Sequence, residues 1–421
     1  MAVVLHFTET GDSIPNCTMD SPDQNARDIP AVVDFLAADS VKISIPKLML
    51  SYAGHYCADS IVGIFQQGFV RIPLTMRPGD AVVNRPQTPV SPFPYSAEEV
   101  TFSNIADSAI LCGTLLIPAE GTAVTENPVV IMVTGSGQQN RDEELLRHKP
   151  FLGIADYLAR HGIATLRYDD RGAGSSTGDF ATATSANFRN DARAGIEMLR
   201  NDGRFGKIGI LGHSEGGLIS YMLASAADVD FAVSLAGPPM RGDSLLLYQN
   251  MELLRTTVGD SVSDAYCTAL ADVFSYVAAS DGLISKQTAK AEVDRILSEK
   301  GLALPSSLVD NLATVMVSTS QNPWLRYFTT YDPTDDIKNI DVPVMAVVGC
   351  LDRQVPSAPT VAALQNSLSS EGSIIKEYPG LNHMFQHAVT GMPDEYGKIE
   401  ETISEEVLDD IVKFINSTIA K

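Results

Sequence analysis

A serine flanked by glycines two residues away on either side, Gly212-His213-Ser214-Glu215-Gly216, is the segment of this chain best placed to do covalent chemistry. A strand-like run from Lys207 to Leu211 leads into it, and a segment without a later breaker, Gly217 to Ala226, follows. The serine is therefore expected on a sharp strand-to-helix turn, a nucleophile elbow. Such a turn pushes the hydroxyl out of the sheet and leaves no room for a Cβ two residues to either side, a demand that glycine meets at 212 and 216. A serine hydroxyl alone is a poor nucleophile at neutral pH. An imidazole titrating near ~6.5 can take its proton and deliver it to a leaving group, while a carboxylate fixes the ring's tautomer and stabilises the imidazolium. Backbone N–H donors must also meet the charge that develops on the substrate oxygen.

The elements that would position these groups follow from the rest of the pattern. Val129–Val133, Ala164–Tyr168, Phe231–Leu235 and Val342–Val348 are short runs rich in β-branched residues, separated mostly by helical patterns such as the face formed by Phe188, Ala192, Ile196 and Leu199. Strands apolar on both sides and alternating with helices predict a mostly parallel sheet covered on both faces. In such a sheet reacting groups gather at the carboxyl ends of strands, with the acid and base following the nucleophile along the chain. Asp352 lies just past the run ending at Val348. The next strand candidate, Ser373–Tyr378, runs into Pro379-Gly380-Leu381-Asn382-His383. Of the seven histidines, those after Asp352 are His383 and His387, and His383 is nearer the strand end. The Glu215 N–H is expected as one oxyanion donor. A second is expected from the loop Thr134-Gly135-Ser136-Gly137, at Ser136 or else Gly137.

Four segments together carry a resemblance: Thr134–Glu143, Tyr168–Ser176, Gly212–Gly217 and Leu381–Gln386. They are similar to those of bacterial α/β-hydrolases of the esterase group described as serine aminopeptidase-like or dienelactone-hydrolase-like. The similarity covers about residues 98 to 421, and the run ending in Arg141-Asp142-Glu143 is its most specific part. It implies an α/β-hydrolase fold and carboxylic ester hydrolysis, with Ser214, Asp352 and His383 at the triad positions. The departure is Gln138-Gln139, where relatives tend to carry a proline. The charged clusters Asp169-Asp170-Arg171 and Arg141-Asp142-Glu143 read as ion-paired braces of loops beside the site rather than as substrate contacts.

At 421 residues the chain exceeds one ordinary core. Residues 80–97 form a proline-rich linker. Before it, alternation at Val41, Ile43 and Ile45 and at Val70, Ile72, Leu74 and Met76 predicts a small antiparallel β domain over residues 1–79, with no cluster that reads as chemistry. The catalytic domain is expected at 98–421. About one hundred residues separate the strands at 231–235 and 342–348, far more than a crossover needs, and runs at Ser244–Thr257, Asp264–Ala279 and Lys286–Lys300 look helical. A helical cap at about 238–340 is expected there, with Trp324 and Phe328 as candidate pocket residues.

The formal net charge of -22 opposes nucleic acid and anionic membranes as partners. No apolar run approaches the ~20 residues of a membrane span. Five scattered cysteines without a Cys-x-x-Cys argue against a disulfide framework or a zinc site, and the motifs imply no cofactor. Exported esterases with a similar leading module carry a secretory signal. Here Met1 runs directly into Ala2–Phe7 without a basic start, so a trimmed start and a place outside the cytoplasm are expected, the alternative being cytoplasmic. The expected activity is hydrolysis of small or medium esters through an acyl-enzyme. The alternatives are a serine aminopeptidase using the same residues, and a glycan-binding protein on an inactive hydrolase fold.

Overall fold

The computed structural model describes residues 3–8, 15–21, 26–67, 70–79, 84–119 and 127–420. They form two compact units, residues 1–86 with 145–148, and residues 87–144 with 149–421. The first unit is an antiparallel meander of β1 (Val4–Thr8), β2 (Asn16–Ser21), β3 (Ala26–Leu36), β4 (Ser40–Ile45), β5 (Leu50–Cys57), β6 (Ser60–Gln67) and β7 (Val70–Met76), paired in chain order. Val41, Ile43 and Ile45 turn inward with Met19, Val33, Tyr52 and Phe65, the period-two pattern of a sheet buried on one face. The Tyr52 hydroxyl shares its proton between the carbonyls of Ile61 and Leu74, at 2.8 and 3.1 Å, and so ties β5 to β6 and to β7. On β7 the expected alternation holds at Leu74 and Met76, which pack on this core. It fails at Ile72, which is exposed; among the described residues β7 is an edge strand paired with β6. The Val70 side chain lies outside the described residues. A cleft of about 520 Å³ opens between β1 and the β6–β7 side, lined by Val4, Leu5, Ile61, Leu74 and Met76 among others.

Residues 80–83 of the expected linker also lie outside the described residues. Gln87 is already anchored in the second unit: its Oε1 accepts from the N–H groups of Thr402 and Ile403, and its Nε2 donates to the Ile403 carbonyl. A strand then begins inside the expected linker, β8 (Tyr95–Asn104), paired with β9 (Ala109–Pro118) from Tyr95 opposite Pro118 to Asn104 opposite Ala109. Pro94 ends the proline run immediately before it, so every β8 residue has an N–H to offer the ladder.

The second unit continues with β10 (Val129–Val133), α1 (Pro150–Arg160), β11 (Ala164–Tyr168), α2 (Ser185–Asp202), β12 (Ile208–His213), α3 (Glu215–Ser225) and β13 (Phe231–Leu235). A helical insertion follows: α4 (Gly242–Val258), α5 (Asp260–Ala279), α6 (Lys286–Lys300), α7 (Ser306–Gln321), α8 (Pro323–Thr330) and α9 (Thr334–Lys338). The chain closes with β14 (Val344–Gly349), α10 (Ser357–Ser367), β15 (Ile374–Tyr378), α11 (Pro393–Tyr396) and α12 (Glu405–Ile419). The sheet order is β15-β14-β13-β12-β10-β11-β9-β8. Strands β10 to β15 run parallel, while β9 runs antiparallel to both β11 and β8. The strand expected from Val342 starts only at Val344, because Pro343 has no N–H to give; its carbonyl still accepts from Ala232 at 3.0 Å.

Alternate residues of β10 enter opposite cores, which is why the strand is apolar throughout. Val129, Ile131 and Val133 pack with Ala192, Ile196 and Leu199 of α2, and Phe188 lies half-buried against the same cluster. Val130 and Met132 pack with Phe151 and Leu158 of α1 and with Ile411 and Ile415 of α12. The insertion has a core of its own, including Leu270 and Phe274 of α5, Val293 of α6 and Met316 of α7. Among the described residues no helix is long and apolar enough to cross a membrane.

The order matters for chemistry because the chain leaves β10 for β11 on one side and comes back to β12 on the other. Adjacent strands β10 and β12 therefore flank the point where connections diverge, and a crevice at their carboxyl ends is where such sheets hold ligands.

Candidate active site

Ser214 immediately follows β12 and is held at φ 53°, ψ −116°, a left-handed conformation that a residue with a Cβ occupies only under constraint. The constraint is visible. Its N–H donates to the Leu235 carbonyl at 2.8 Å, and its carbonyl accepts from Gly217 and Leu218, at 2.9 and 3.2 Å, opening α3. The helix starts at Glu215, two residues earlier than the sequence pattern suggests, because the elbow itself supplies the first turn. A Cβ on Gly212 would sit 1.9 Å from the Gly216 carbonyl oxygen, and one on Gly216 would sit 2.0 Å from that of Val133. Both obstacles are main chain and cannot swing aside. Gly216→Ala is accordingly expected to cost the second unit at least about 3 kcal/mol, read as a lower urea midpoint by circular dichroism.

Asp352 and His383 come from the loops after β14 and β15, and both are buried. The Nδ1–H of His383 donates to Asp352 Oδ2 at 2.7 Å. The other carboxylate oxygen, Oδ1, accepts from the backbone N–H groups of Gln354 and Val355, both at 2.8 Å, so the carboxylate cannot rotate away from the ring. His387, the other downstream histidine, is exposed and pairs with Glu401. Ser214 is half-buried among buried neighbours. The residue before it, His213, has its ring 4.7 Å from that of His383, centroid to centroid, and bonds the His383 carbonyl through Nε2 at 2.9 Å.

The loop after β10 runs against the serine: a Cβ on Gly135 would lie 3.2 Å from that of Ser214. Ser136 and Gly137 are exposed just beyond, and the Glu215 N–H belongs to the first residue of α3. Three carboxylates staple this loop from behind. Asp170 accepts from the Thr134 hydroxyl and the Gln139 N–H, both at 2.8 Å; Asp169 accepts from the Arg141 N–H at 2.9 Å and grips its guanidinium; Glu143 accepts from the Gly135 N–H at 2.9 Å. Arg171 is in turn held by Asp191 at 2.7 and 2.8 Å, and Arg167 pairs with Asp142. Both charged clusters are thus spent on loop geometry. Burial pushes the Asp170 carboxyl up to about 8, and the nearby Glu215 and Glu143 charges add to this against its two donors.

From the insertion, the Trp324 indole N–H donates to Glu215 Oε1 at 2.7 Å, and the Ser185 hydroxyl donates to the same oxygen at 2.5 Å. Burial lifts the Glu215 carboxyl above its ordinary range, and these two donors partly offset it. Phe328 stacks behind Trp324, with centroids 5.2 Å apart, and is buried with Leu218, Leu245 and Val355. Trp324 therefore reaches the elbow while Phe328 is packing. Sequence reasoning used only the main chain of Glu215 and passed over the His213 side chain. Their partners, Trp324 and Glu143, lie 109 and 70 residues away, with no local spacing to announce either pair.

A family model described as "Serine aminopeptidase, S33" matches residues 149–387. The chain is similar to "Esterase EstD" of Thermotoga maritima, 22% identical over 289 residues that cover 68% of this chain and 62% of that protein. It is also similar to an "Acyl transferase" of Shewanella hanedai, 28% identical over 149 residues, 35% of this chain and 45% of that one. The chain thus spans less than two thirds of the length of these relatives. Among solved structures, one of Est1E from Butyrivibrio proteoclasticus with ferulic acid aligns over 76% of this chain and all of its own, at 18% identity and a TM-score of 0.45.

Proposed function

We propose, from the premise that this chain belongs to the serine aminopeptidase S33 family, that it hydrolyses small or medium carboxylic esters through an acyl-enzyme. The observation that carries the reading is the buried 2.7 Å bond between Asp352 and His383, at the same sheet end as a serine held in a strained turn. In the mechanism, Ser214 Oγ bonds to the ester carbonyl carbon while its proton passes to His383. Asp352 orients the ring and stabilises the imidazolium. The Glu215 N–H, with that of Ser136 or Gly137, receives the oxyanion. His383 then returns the proton to the departing alcohol, and a water activated by the same imidazole breaks the acyl–serine bond.

The family's aminopeptidase chemistry would use these residues on a substrate bearing a free amine, which calls for a carboxylate open to an ammonium group. The carboxylate next to Ser214 in sequence is engaged: Glu215 holds Trp324 and Ser185. On the insertion, Glu252 is paired with Arg353 at 3.0 Å. Both of these carboxylates already have partners. Assays with p-nitrophenyl acetate, longer acyl esters and aminoacyl-nitroanilides separate the readings; turnover confined to the anilides overturns the ester assignment. Failure of Ser214 to take a fluorophosphonate would instead leave a non-catalytic binding protein.

A further inference from the structure

A second histidine–carboxylate pair lies beside the first and has no part in the steps above. His213 Nδ1 is 2.9 Å from Glu143 Oε1, and its Nε2 is 2.9 Å from the His383 carbonyl oxygen. Both His213 and Glu143 are buried. A carboxylate and a carbonyl only accept hydrogen bonds, so each ring nitrogen must bring a proton. With Glu143 ionised, the form of His213 that satisfies both contacts is the imidazolium, with Glu143 as its counter-ion. Glu143 Oε1 also takes the N–H of Gly135, the residue pressed against Ser214. One cation thus joins the loop after β10, the end of β12 and the loop after β15 through charge-assisted bonds.

We infer that His213, as an imidazolium held by Glu143, is a positioning residue that keeps the oxyanion loop and the main chain of His383 in register with Ser214. The inference rests on the ester-hydrolase reading for its kinetic test. Burial by itself would push the His213 imidazole down; the Glu143 charge and hydrogen bond, the His383 carbonyl and the Asp352 charge outweigh it and hold it above its ordinary value. Those are the charged and titratable groups facing it, together with the His383 ring. The other packed elements present apolar groups to the small cavity it lines: Phe151 and Ile154 of α1, Leu235 of β13, Met384 and Phe385. With the native value raised, the contribution of the pair is fully present below the unfolded histidine value of about 6.5. It is lost as pH climbs through the native one. An alkaline limb in activity is therefore expected from His213.

The test measures kcat and KM for p-nitrophenyl butyrate between about pH 6 and 10, using the full chain and its Glu143→Gln and His213→Gln variants. Misplacing the groups around Ser214 is expected to lower kcat about tenfold to a hundredfold, with KM held within about twofold. The alkaline limb of the unsubstituted protein should move to lower pH in Glu143→Gln and vanish in His213→Gln. Variants that keep the parent kcat and profile, or that lose activity through KM alone, overturn the inference. A readout independent of variant folding is the ¹⁵N spectrum of the unsubstituted, histidine-labelled protein near neutral pH, where both ring nitrogens of His213 should carry protons. A neutral His213 in a protein that turns over esters overturns this inference; absence of turnover on any ester overturns the ester reading instead.

Discussion

Replacing Ser214 by alanine is expected to lower ester turnover by about 10⁴- to 10⁶-fold while the second unit keeps its fold. The large loss follows because, in the proposed mechanism, the substitution removes the atom that bonds to the acyl carbon, and no rearrangement of His383 can substitute for it. The fold should survive because what holds the elbow is main chain: the Ser214 N–H to Leu235 and the Ser214 carbonyl to Gly217 and Leu218 involve no side-chain atom. The left-handed φ is no harder for alanine than for serine. What activity remains would come from the oxyanion donors and substrate binding, which act without a nucleophile. Pre-steady-state release of p-nitrophenol measures the acyl-enzyme directly. A burst in Ser214→Ala of the same size as in the parent would remove Ser214 from the mechanism.

Asp352→Asn is expected to lower kcat by about 10⁴-fold with little change in KM. The argument is one of hydrogen-bond polarity. Oδ1 of Asp352 faces two backbone N–H groups, of Gln354 and Val355, and both need an acceptor. An asparagine must therefore turn its carbonyl oxygen to them and its NH₂ to His383. The ring would answer by accepting at Nδ1, which places its proton on Nε2, and an imidazole protonated at Nε2 cannot take the serine's proton. Because the carboxylate is clamped, the amide has no alternative orientation that spares the ring. A variant retaining more than about a tenth of the parent kcat would show that Asp352 does not set the tautomer.

What the sequence discloses and what it withholds divide along a physical line. The turn at Ser214 was legible because its requirement is local: two positions without a Cβ, a strand before and a helix after. Loops that follow strands could be placed because β-branched runs mark strands wherever they occur, and this put Asp352 and His383 at the sheet's carboxyl end. The start of β14 departs from the β-branched run where a single proline decides it, and the exposure of Ile72 departs from the alternation because alternation says nothing about where a core stops. Glu143 could be read as a brace, but not which group it braces. The pairing of Glu143 with His213 needs β10 and β12 to be neighbours while β11 lies on the far side of β10. No spacing within either segment encodes that adjacency. The bond from Trp324 to Glu215 likewise depends on how the insertion folds back, which only its packing decides.

That bond gives the molecule an intrinsic optical probe. Trp324 is the chain's single tryptophan, and its indole nitrogen is anchored to the side chain of the residue directly after Ser214. Emission excited at the red edge of indole absorbance therefore originates from one fluorophore at one address. Release of the indole from Glu215 would change the polarity and quenching around it, so stopped-flow fluorescence of the unlabelled protein can time movements of α8 against the chemical step.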